Sequence, residues 1–244
     1  MKKNTSHLKI SLIICAYNEE KYLGDCLDYA IQNSGGKFFE IIVVDNASTD
    51  RTKEIAEARA GVRVVREDKK GLTRARQRGY EEATGDILAY IDSDTRMPKG
   101  WLERVVKEFE DNKTLACLSG PYVYYDIPKS QQVMVKMYWY FLAMPMYWVI
   151  GYMVVGGNFV IRKDTLDKMK GFDTTIEFYG EDTNIARRAH KVNKVKFVPS
   201  FIMYTSGRRL SKQGMMSTFK QYSMNFLSEV LVHKSVTKEY KDLR

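Results

Sequence analysis

Two aspartates one residue apart, Asp92 and Asp94, follow a short apolar run that ends at Ile91. Carboxylate oxygens at the irregular end of a strand can reach one hard cation, and Mg²⁺ and Mn²⁺ prefer such ligands. Without a cation, two like charges at the end of a buried strand would repel each other. The triplet Asp92-Ser93-Asp94 therefore predicts a divalent-metal site completed by diphosphate oxygens and water, although Asp-x-Asp in a turn is by itself a weak signal.

Other polar residues also follow apolar runs. Tyr17 comes after the run at 10–15, and Asp45 comes directly after Val44. A tyrosine in such a place can stack on a base, and a carboxylate can accept hydrogen bonds from a base or a ribose. A rim tyrosine and a helix-capping aspartate remain the alternative interpretation.

A second acidic pair, Glu181-Asp182, opens a predicted helix that runs to about residue 190. A carboxylate there could act as a general base if its surroundings raise its pKa towards neutrality. The helix dipole opposes that rise, so desolvation or a neighbouring acid must supply it. The alternative is a pair of ordinary first-turn acids that complement the dipole.

The elements that must position these residues alternate regularly in the first half of the chain. Short apolar runs predict buried strands at 10–15, 41–44, 62–65 and 87–91. Amphipathic stretches after the first three runs predict helices, the second starting from Ser48-Thr49-Asp50 and ending near residue 60. This alternation predicts an α/β fold with a mostly parallel central sheet and helices on both faces, and such sheets bind ligands at the carboxyl ends of their strands.

The second half has a different composition. It predicts strands at 115–124, 159–162 and 196–204 and a last helix at about 212–233. We place a boundary near Tyr125. It separates a nucleotide-sugar-binding half (1–125) from an acceptor and catalytic half of the same domain (126–210), followed by a helical tail (211–244).

Five motifs occur in a familiar order, at residues 13–19, 43–50, 71–76, 85–87 and 91–94. They read Ile-Ile-Cys-Ala-Tyr-Asn-Glu, Val-Val-Asp-Asn-Ala-Ser-Thr-Asp, Gly-Leu-Thr-Arg-Ala-Arg, Gly-Asp-Ile and Ile-Asp-Ser-Asp. Together they resemble the family 2 glycosyltransferases of the GT-A fold over roughly Lys9 to Arg209. The order of the five elements carries the resemblance, since no single motif is specific.

The resemblance implies a role for each matching position. A nucleotide or donor pocket is expected from Ala16, Tyr17, Asn18, Glu19, Asp45, Arg76, Asp92 and Ser93. Within it, Arg76 matches the basic residue that approaches the diphosphate, and Asp92 the contact to ribose or donor sugar. Asp94 matches the direct metal ligand, with Asp92 as a second ligand. Asp182 matches the catalytic base of an enzyme that inverts the anomeric centre, and the pocket between donor and acceptor is expected from Gly156, Gly157, Asn158 and Glu181.

The chain departs from the pattern after its last predicted strand. Some family members place a histidine there for a further metal or diphosphate contact, whereas this chain reads Tyr-Thr-Ser-Gly-Arg-Arg at 204–209. Two adjacent guanidiniums can bind a diphosphate by charge and by paired hydrogen bonds. We therefore expect Arg208 and Arg209 to clamp the donor diphosphate.

Residues 137–161 contain no charged side chain and are rich in Tyr, Trp, Phe and Met. The segment is long enough to span a bilayer, but Asp94 before it and Asp182 after it must share one site, so both flanks lie on one side. Its aromatic residues and the net charge of +9 favour an anionic membrane surface as partner. We expect a membrane-facing helix at 137–155; the alternative is a helix that covers the sheet or forms a homodimer.

The sequence thus predicts a membrane-associated, inverting glycosyltransferase that depends on Mg²⁺ or Mn²⁺. UDP is the favoured donor nucleotide, and the hydroxyl acceptor is a polyprenyl-linked lipid or a cell-surface glycan. Residues 1–7 do not form a secretory signal, and the three cysteines lack metal-ligand spacing and fit reduced buried thiols. We therefore expect a cytoplasmic protein at the inner face of the membrane.

Other classes of protein fit this sequence less well. Nucleic acid is not an expected partner, because basic and acidic residues are intermixed and no nucleic-acid-binding motif is present. A non-catalytic sugar-nucleotide or glycan-binding module on the same scaffold would not need Asp182. A sugar nucleotidyltransferase would need a glycine-rich phosphate loop after the first strand, and residues 16–20 contain no glycine.

Overall fold

The computed structural model describes residues 8–176 and 179–232. Its centre is a seven-stranded sheet with the strand order β3-β2-β1-β4-β8-β6-β9. The first four strands in this order are mutually parallel, whereas β8 runs antiparallel to both of its neighbours. A smaller sheet has the order β5-β10-β7. The predicted α/β fold with a mostly parallel sheet is confirmed.

The first half of the chain alternates as the sequence predicts. Its elements are β1 (Ile10–Ala16), α1 (Leu23–Ser34), β2 (Glu40–Asp45), α2 (Thr52–Glu57), β3 (Val62–Arg66), α3 (Leu72–Glu82) and β4 (Ile87–Asp92). The side chains of Leu12, Ile13 and Ile14 on β1 are all fully buried, because β1 lies between two parallel strands and is covered on both faces. Helix α2 is shorter than predicted; it begins at Thr52, whose backbone N–H donates to Asp50 Oδ1 at 3.0 Å.

The remaining elements are more irregular. They are β5 (Thr95–Arg96), α4 (Trp101–Asp111), β6 (Leu115–Ser119), β7 (Tyr122–Tyr124), α5 (Lys129–Tyr138), a π-helical turn (Trp139–Ala143), α6 (Met144–Ile150), β8 (Asn158–Arg162), α7 (Lys163–Met169), α8 (Glu181–Val192), β9 (Lys194–Phe197), β10 (Met203–Thr205), α9 (Arg208–Gln213) and α10 (Met215–Val232). The sequence predicts no element at α4 or α7. It predicts one last helix where α9 and α10 are separated by Gly214, which has a φ of +82°.

Two strands predicted as continuous are each divided between the two sheets. The run at 115–124 forms β6 in the large sheet and β7 in the small one, and 196–204 is divided between β9 and β10. The first change of sheet occurs at Gly120-Pro121, where a side chain on Gly120 would meet the carbonyl oxygen of Phe201 at 2.0 Å. The predicted single strands were wrong because an apolar run does not reveal which partner each half pairs with.

Asn158, at the start of β8, holds both changes of sheet together. Its fully buried amide nitrogen donates to the carbonyl oxygens of Gly120 at 3.1 Å and Phe201 at 2.8 Å. Its amide oxygen accepts from Trp101 Nε1 at 3.0 Å. Asn158 therefore joins β8, the β6–β7 connection, the β9–β10 connection and α4 through one side chain.

We expect Asn158→Ala to lower the free energy of unfolding by at least about 2 kcal/mol, because it leaves two buried carbonyls and one buried indole N–H without a partner. Urea denaturation measures the change. Asn193→Ala, on the exposed loop before β9, is the matched control and should change stability little. A loss for Asn158→Ala no larger than that of the control would contradict this role.

Candidate active site

The carboxyl ends of β1, β2 and β4 lie side by side. Ala16 is paired with Asp45 across β1 and β2, and Cys15 is paired with Asp92 across β1 and β4. The loops that follow these strands therefore start at one edge of the sheet. This is the edge at which the sequence predicts chemistry.

The loop after β1 is tied to the loop after β2. Asn18 has a φ of +51°, and its side-chain oxygen accepts from the backbone N–H of Thr49 at 2.8 Å. Its own N–H donates to Ser48 Oγ at 3.0 Å. Asn18 thus shapes the two loops beside Tyr17, whose ring lies 4.0 Å from Lys70 Nζ.

Asp45 is fully buried and has two partners in the protein. Its carboxylate accepts from the backbone N–H of Ser48 at 3.1 Å and forms an ion pair with Arg66. The next residue, Asn46, had not been assigned a role from sequence. Its amide nitrogen donates to the carbonyls of Glu67 at 3.1 Å and Lys69 at 2.8 Å, and so fixes the loop that precedes α3.

Asp92 is held by Tyr122 and closely approached by the backbone of Gly157. Tyr122 Oη donates to Asp92 Oδ2 at 2.7 Å. A side chain on Gly157 would meet the same carboxylate oxygen at 2.2 Å and Tyr122 Oη at 2.0 Å, so only glycine allows this close approach. Tyr122 was missed by the sequence analysis because it lay inside a strand predicted as continuous, with no local signal of its own.

Asp94 lies opposite Arg208. Arg208 Nε is 2.9 Å from Asp94 Oδ2, and its two terminal nitrogens donate to Glu19 at 2.6 and 2.9 Å. The second carboxylate oxygen of Asp94 accepts from Thr205 Oγ1 at 3.4 Å. Arg208 therefore bridges the acidic side chains of the loops after β1 and β4, and Glu19, expected near the nucleoside, is buried against it.

Arg76 is buried next to the second acidic cluster. Its Nη2 donates to the carbonyl oxygen of Gly156 at 2.9 Å, and its Nη1 is 3.4 Å from Glu181 Oε1. A side chain on Gly156 would meet Arg76 Nη2 at 2.7 Å. The Gly156-Gly157 loop is thus fixed between Arg76 on one side and Asp92 on the other.

A single cavity of about 390 Å³ connects these groups. Most of the predicted site residues line it, namely Glu19, Arg76, Asp92, Ser93, Asp94, Gly156, Gly157, Glu181, Asp182, Arg208 and Arg209. Asn158 lies behind the wall in its structural role, and Ala16, Tyr17, Asn18 and Asp45 build the neighbouring loops at the strand ends. Asp182, on the first turn of α8, accepts from the N–H of Thr183 at 2.9 Å.

Burial dominates the electrostatics of these acids. It raises the pKa of Asp94 to about 7, with Asp92 adding to the rise and Arg208 opposing it. Burial also raises the pKa of Glu181 to about 8, with Asp182 adding and Arg76 opposing. The pKa of Asp182 is raised as well, again by burial, against the positive charge of Arg76. A carboxylate that acts as a base near neutral pH needs a raised pKa, and burial raises the pKa of all three of these acids.

Asp92 and Asp94 offer carboxylate oxygens of the kind that divalent cations bind. Among residues 8–176 and 179–232, no group of three or more His, Cys, Asp or Glu side chains forms a metal cluster. Mg²⁺ sites in enzymes of phosphorylated substrates commonly use one or two carboxylates plus phosphate oxygens and water. The protein therefore offers a partial oxygen site rather than a complete cage.

Comparison with known protein families identifies the family to which this chain belongs. Residues 11–170 match the profile described as Glycosyl transferase family 2. The chain belongs to this family. The prediction from the five ordered motifs is thereby confirmed, and the GT-A fold with it.

The relatives of this glycosyl transferase family 2 chain are similar over part of their length. It is 35% identical over 116 residues to the dolichol-phosphate mannosyltransferase of Pyrococcus furiosus, which is 45% of this chain and 32% of that protein. Its fold resembles the mannosyltransferase PcManGT of Pyrobaculum calidifontis, solved with GDP-Man and Mn²⁺ (TM-score 0.70, 19% identity, 94% of this chain and 64% of that one). It also resembles glucosyl-3-phosphoglycerate synthase of Mycobacterium tuberculosis, solved with Mn²⁺, UDP and phosphoglyceric acid. The TM-score is 0.65 at 21% identity, and the match covers 92% of this chain and 79% of that one. The sequence alignment with the Pyrococcus mannosyltransferase covers about a third of that protein's length.

We expect Gly157→Ala to displace the Asp92 carboxylate and to abolish donor turnover, because the added methyl group has no space beside Tyr122 and Asp92. Tyr122→Phe is the matched control, since it removes the hydrogen bond to Asp92 without adding bulk. Nucleotide release from a panel of sugar donors measures both variants. Activity of Gly157→Ala equal to or above that of Tyr122→Phe would contradict the steric account.

The raised pKa values also predict a pH dependence of stability. Carboxyls of the metal-free unfolded chain lose their protons near pH 4, whereas Glu181 and Asp94 keep theirs to about pH 8 and 7. The folded chain therefore binds more protons between these limits, and its stability falls as pH rises across them. Urea denaturation in EDTA at about pH 5 and pH 8 tests this.

Glu181→Gln should flatten that pH dependence, because it removes one of the groups that must ionise while buried. An unchanged difference in unfolding free energy between the two pH values in this variant would contradict the assignment of Glu181.

Proposed function

We propose that this chain transfers a sugar from a nucleotide-diphosphate donor to a hydroxyl acceptor, with inversion at the anomeric carbon. The observation that carries the proposal is the shared cavity, in which Asp92 and Asp94 lie at the strand ends and Asp182 at the start of α8. A donor diphosphate at the first pair and an acceptor hydroxyl at Asp182 would place the sugar between them. That arrangement suits an in-line displacement.

Asp182 is the proposed general base. Its carboxylate takes the proton of the acceptor hydroxyl as the oxygen attacks the anomeric carbon, on the face opposite the departing diphosphate. The upward direction of its pKa favours this role, because a more basic carboxylate accepts a proton more readily. Glu181 and Arg76 lie beside it, with Arg76 Nη1 3.4 Å from Glu181 Oε1.

Asp94 and Asp92 are the proposed ligands of Mg²⁺ or Mn²⁺ at the donor end. A bound cation would supply positive charge for the diphosphate that departs. Arg208 and Arg209 follow the short strand β10 and line the same cavity, so their guanidiniums can bind diphosphate oxygens. UDP remains the favoured nucleotide, although solved relatives of the fold hold either UDP or GDP-mannose.

Apolar side chains from two helical segments line much of the proposed acceptor end of the cavity. Its walls there come from the helical segment 129–150 and from α10, through Val135, Trp139, Leu142, Met146, Phe219, Phe226 and Leu227. Leu142 and Leu227 are also 47% and 43% exposed, so the apolar end opens to the surface. A lipid-linked acceptor fits this path better than a fully polar glycan, because its apolar part would be removed from water there.

The outer face of the same helical segment favours a membrane surface. Lys129–Ile150 is, among the described residues, the one helical stretch long and apolar enough to cross a bilayer, and 17% of its apolar window is buried. Tyr140, Phe141, Trp148 and Val149 are 64%, 76%, 71% and 86% exposed. Both ends of the segment lead to the same cavity, which suits a helix that lies in the membrane interface without crossing the bilayer. We propose that the protein is peripheral and lies at the cytoplasmic face.

We expect Asp182→Asn to reduce transfer at least about 100-fold while donor binding is retained, because the amide keeps the shape but cannot accept the proton. Turnover and donor affinity are measured separately, by product formation and by calorimetry with Mn²⁺. Thr183→Ala changes the next residue on the first turn of α8 and is the control for general disturbance of the start of this helix. Full transfer by Asp182→Asn would contradict the catalytic role of this residue. Donor binding by the wild type without transfer to any acceptor would instead favour a sugar-nucleotide-binding module.

We expect the chain to float with anionic liposomes at low salt and the double variant Phe141→Glu/Trp148→Glu to remain in solution. The two charges would have to be buried in the headgroup region. Phe39 is an aromatic residue on the other half of the chain that is 47% exposed, and Phe39→Glu should float like the wild type. Absence of wild-type flotation at low salt would support a dimer or a protein partner instead.

A further inference from the structure

Arg208 holds the position at which the proposed metal ligand Asp94 would meet a cation. Its guanidinium spans Glu19 and Asp94, which lie 189 residues and 114 residues before it in the sequence. Three of its nitrogens are used, two on Glu19 and one on Asp94, at 2.6 to 2.9 Å. The side chain is 22% exposed, so this is a largely desolvated pair in which charge interactions are strong.

A divalent cation and this guanidinium cannot share Asp94 without mutual repulsion. Arg208 Nε contacts Oδ2, and Thr205 Oγ1 contacts the other oxygen of the same carboxylate. A cation that binds Asp94 must therefore separate Arg208 from it and also overcome a close positive charge. Because that separation costs free energy, the cation binds more weakly when no nucleotide is present.

A diphosphate removes this conflict because it offers oxygens to both cations. Guanidinium groups bind phosphate through paired hydrogen bonds, and divalent cations bind phosphate oxygens together with carboxylates. Arg208 need not leave the site, since its contacts to Glu19 and to the Tyr22 ring, 4.8 Å away, do not involve Asp94. Only its bond to Asp94 has to be exchanged.

We propose that Arg208 is the internal counter-ion of Asp94 and yields this carboxylate to the metal when a nucleotide diphosphate binds, so that metal and nucleotide bind as a coupled pair. This rests on the proposed function, which places the metal and the diphosphate here. Because coupling between two ligands is reciprocal, the nucleotide tightens metal binding by the factor by which the metal tightens nucleotide binding. The chain would then bind neither ligand strongly alone.

The experiment is a titration of the full chain with Mn²⁺, in which the electron paramagnetic resonance signal of free Mn²⁺ reports binding without any turnover. It is done alone, with UDP and with GDP, and nucleotide without protein corrects for chelation. For the wild type we expect weak binding of Mn²⁺ alone and at least about tenfold tighter binding with the nucleotide that the site accepts, within the range typical of coupled sites.

For Arg208→Gln we expect the opposite pattern. Mn²⁺ alone should bind about tenfold more tightly than to the wild type, and the gain from nucleotide should shrink by a similar factor. Arg208→Lys keeps a positive charge near Asp94 and should resemble the wild type. Arg104→Gln breaks a comparable arginine–glutamate pair on α4 and should leave Mn²⁺ binding unchanged.

Two results would overturn the proposal. One is equal Mn²⁺ affinity of the wild type with and without nucleotide, which does not depend on any variant folding. The other is an Arg208→Gln chain, shown to be folded by its thermal transition, that binds Mn²⁺ no more tightly than the wild type. Retained coupling without transfer to any acceptor would instead contradict the proposed function and leave the role of Arg208 intact.

Discussion

The structure depends on how the negative charges at one edge of a parallel sheet are compensated. Glu19, Asp92, Asp94, Glu181 and Asp182 line one cavity, and they are balanced within it by ion pairs to Arg76 and Arg208. Burial of like charges opposes folding unless each charge is paired or neutralised. The raised pKa values of Asp94 and Glu181 are the direct expression of this cost. A diphosphate with its cation is the kind of ligand that such a site can use.

The topology explains how residues so distant in sequence reach this edge. Strands β1, β2 and β4 bring the loops of Glu19 and Asp94 together, and β8 enters antiparallel between β4 and β6. That insertion places Gly157 against Asp92 and leaves Asn158 to hold both changes of sheet. The Asn158 side chain thus stabilises the fold and also fixes the strand start that follows the cavity-lining Gly156-Gly157 loop.

The first half of the fold could be predicted because its strands are short, nearly all apolar and separated by amphipathic helices. That pattern has few alternatives to a parallel sheet, and the sheet edge then indicates where Asp45, Asp92 and Asp94 lie. The second half could not be predicted in the same way. Pro121 and Pro199 lie inside the two runs that divide between sheets, and a proline within a predicted strand is a sign of interruption. The pairing of Arg208 with Glu19 and Asp94 has no local signal, since it is created only by the tertiary fold.

The central claim is that an acceptor held by Asp182 attacks the donor sugar from the face opposite the diphosphate. The most direct test is the configuration of the product glycoside, measured by ¹H NMR of its anomeric proton. Donors of α configuration are supplied with Mn²⁺, and the acceptor is an n-alkyl alcohol that the apolar end of the cavity can hold. The account predicts a β product. An α product would contradict it, because attack from the face opposite the diphosphate inverts the anomeric carbon.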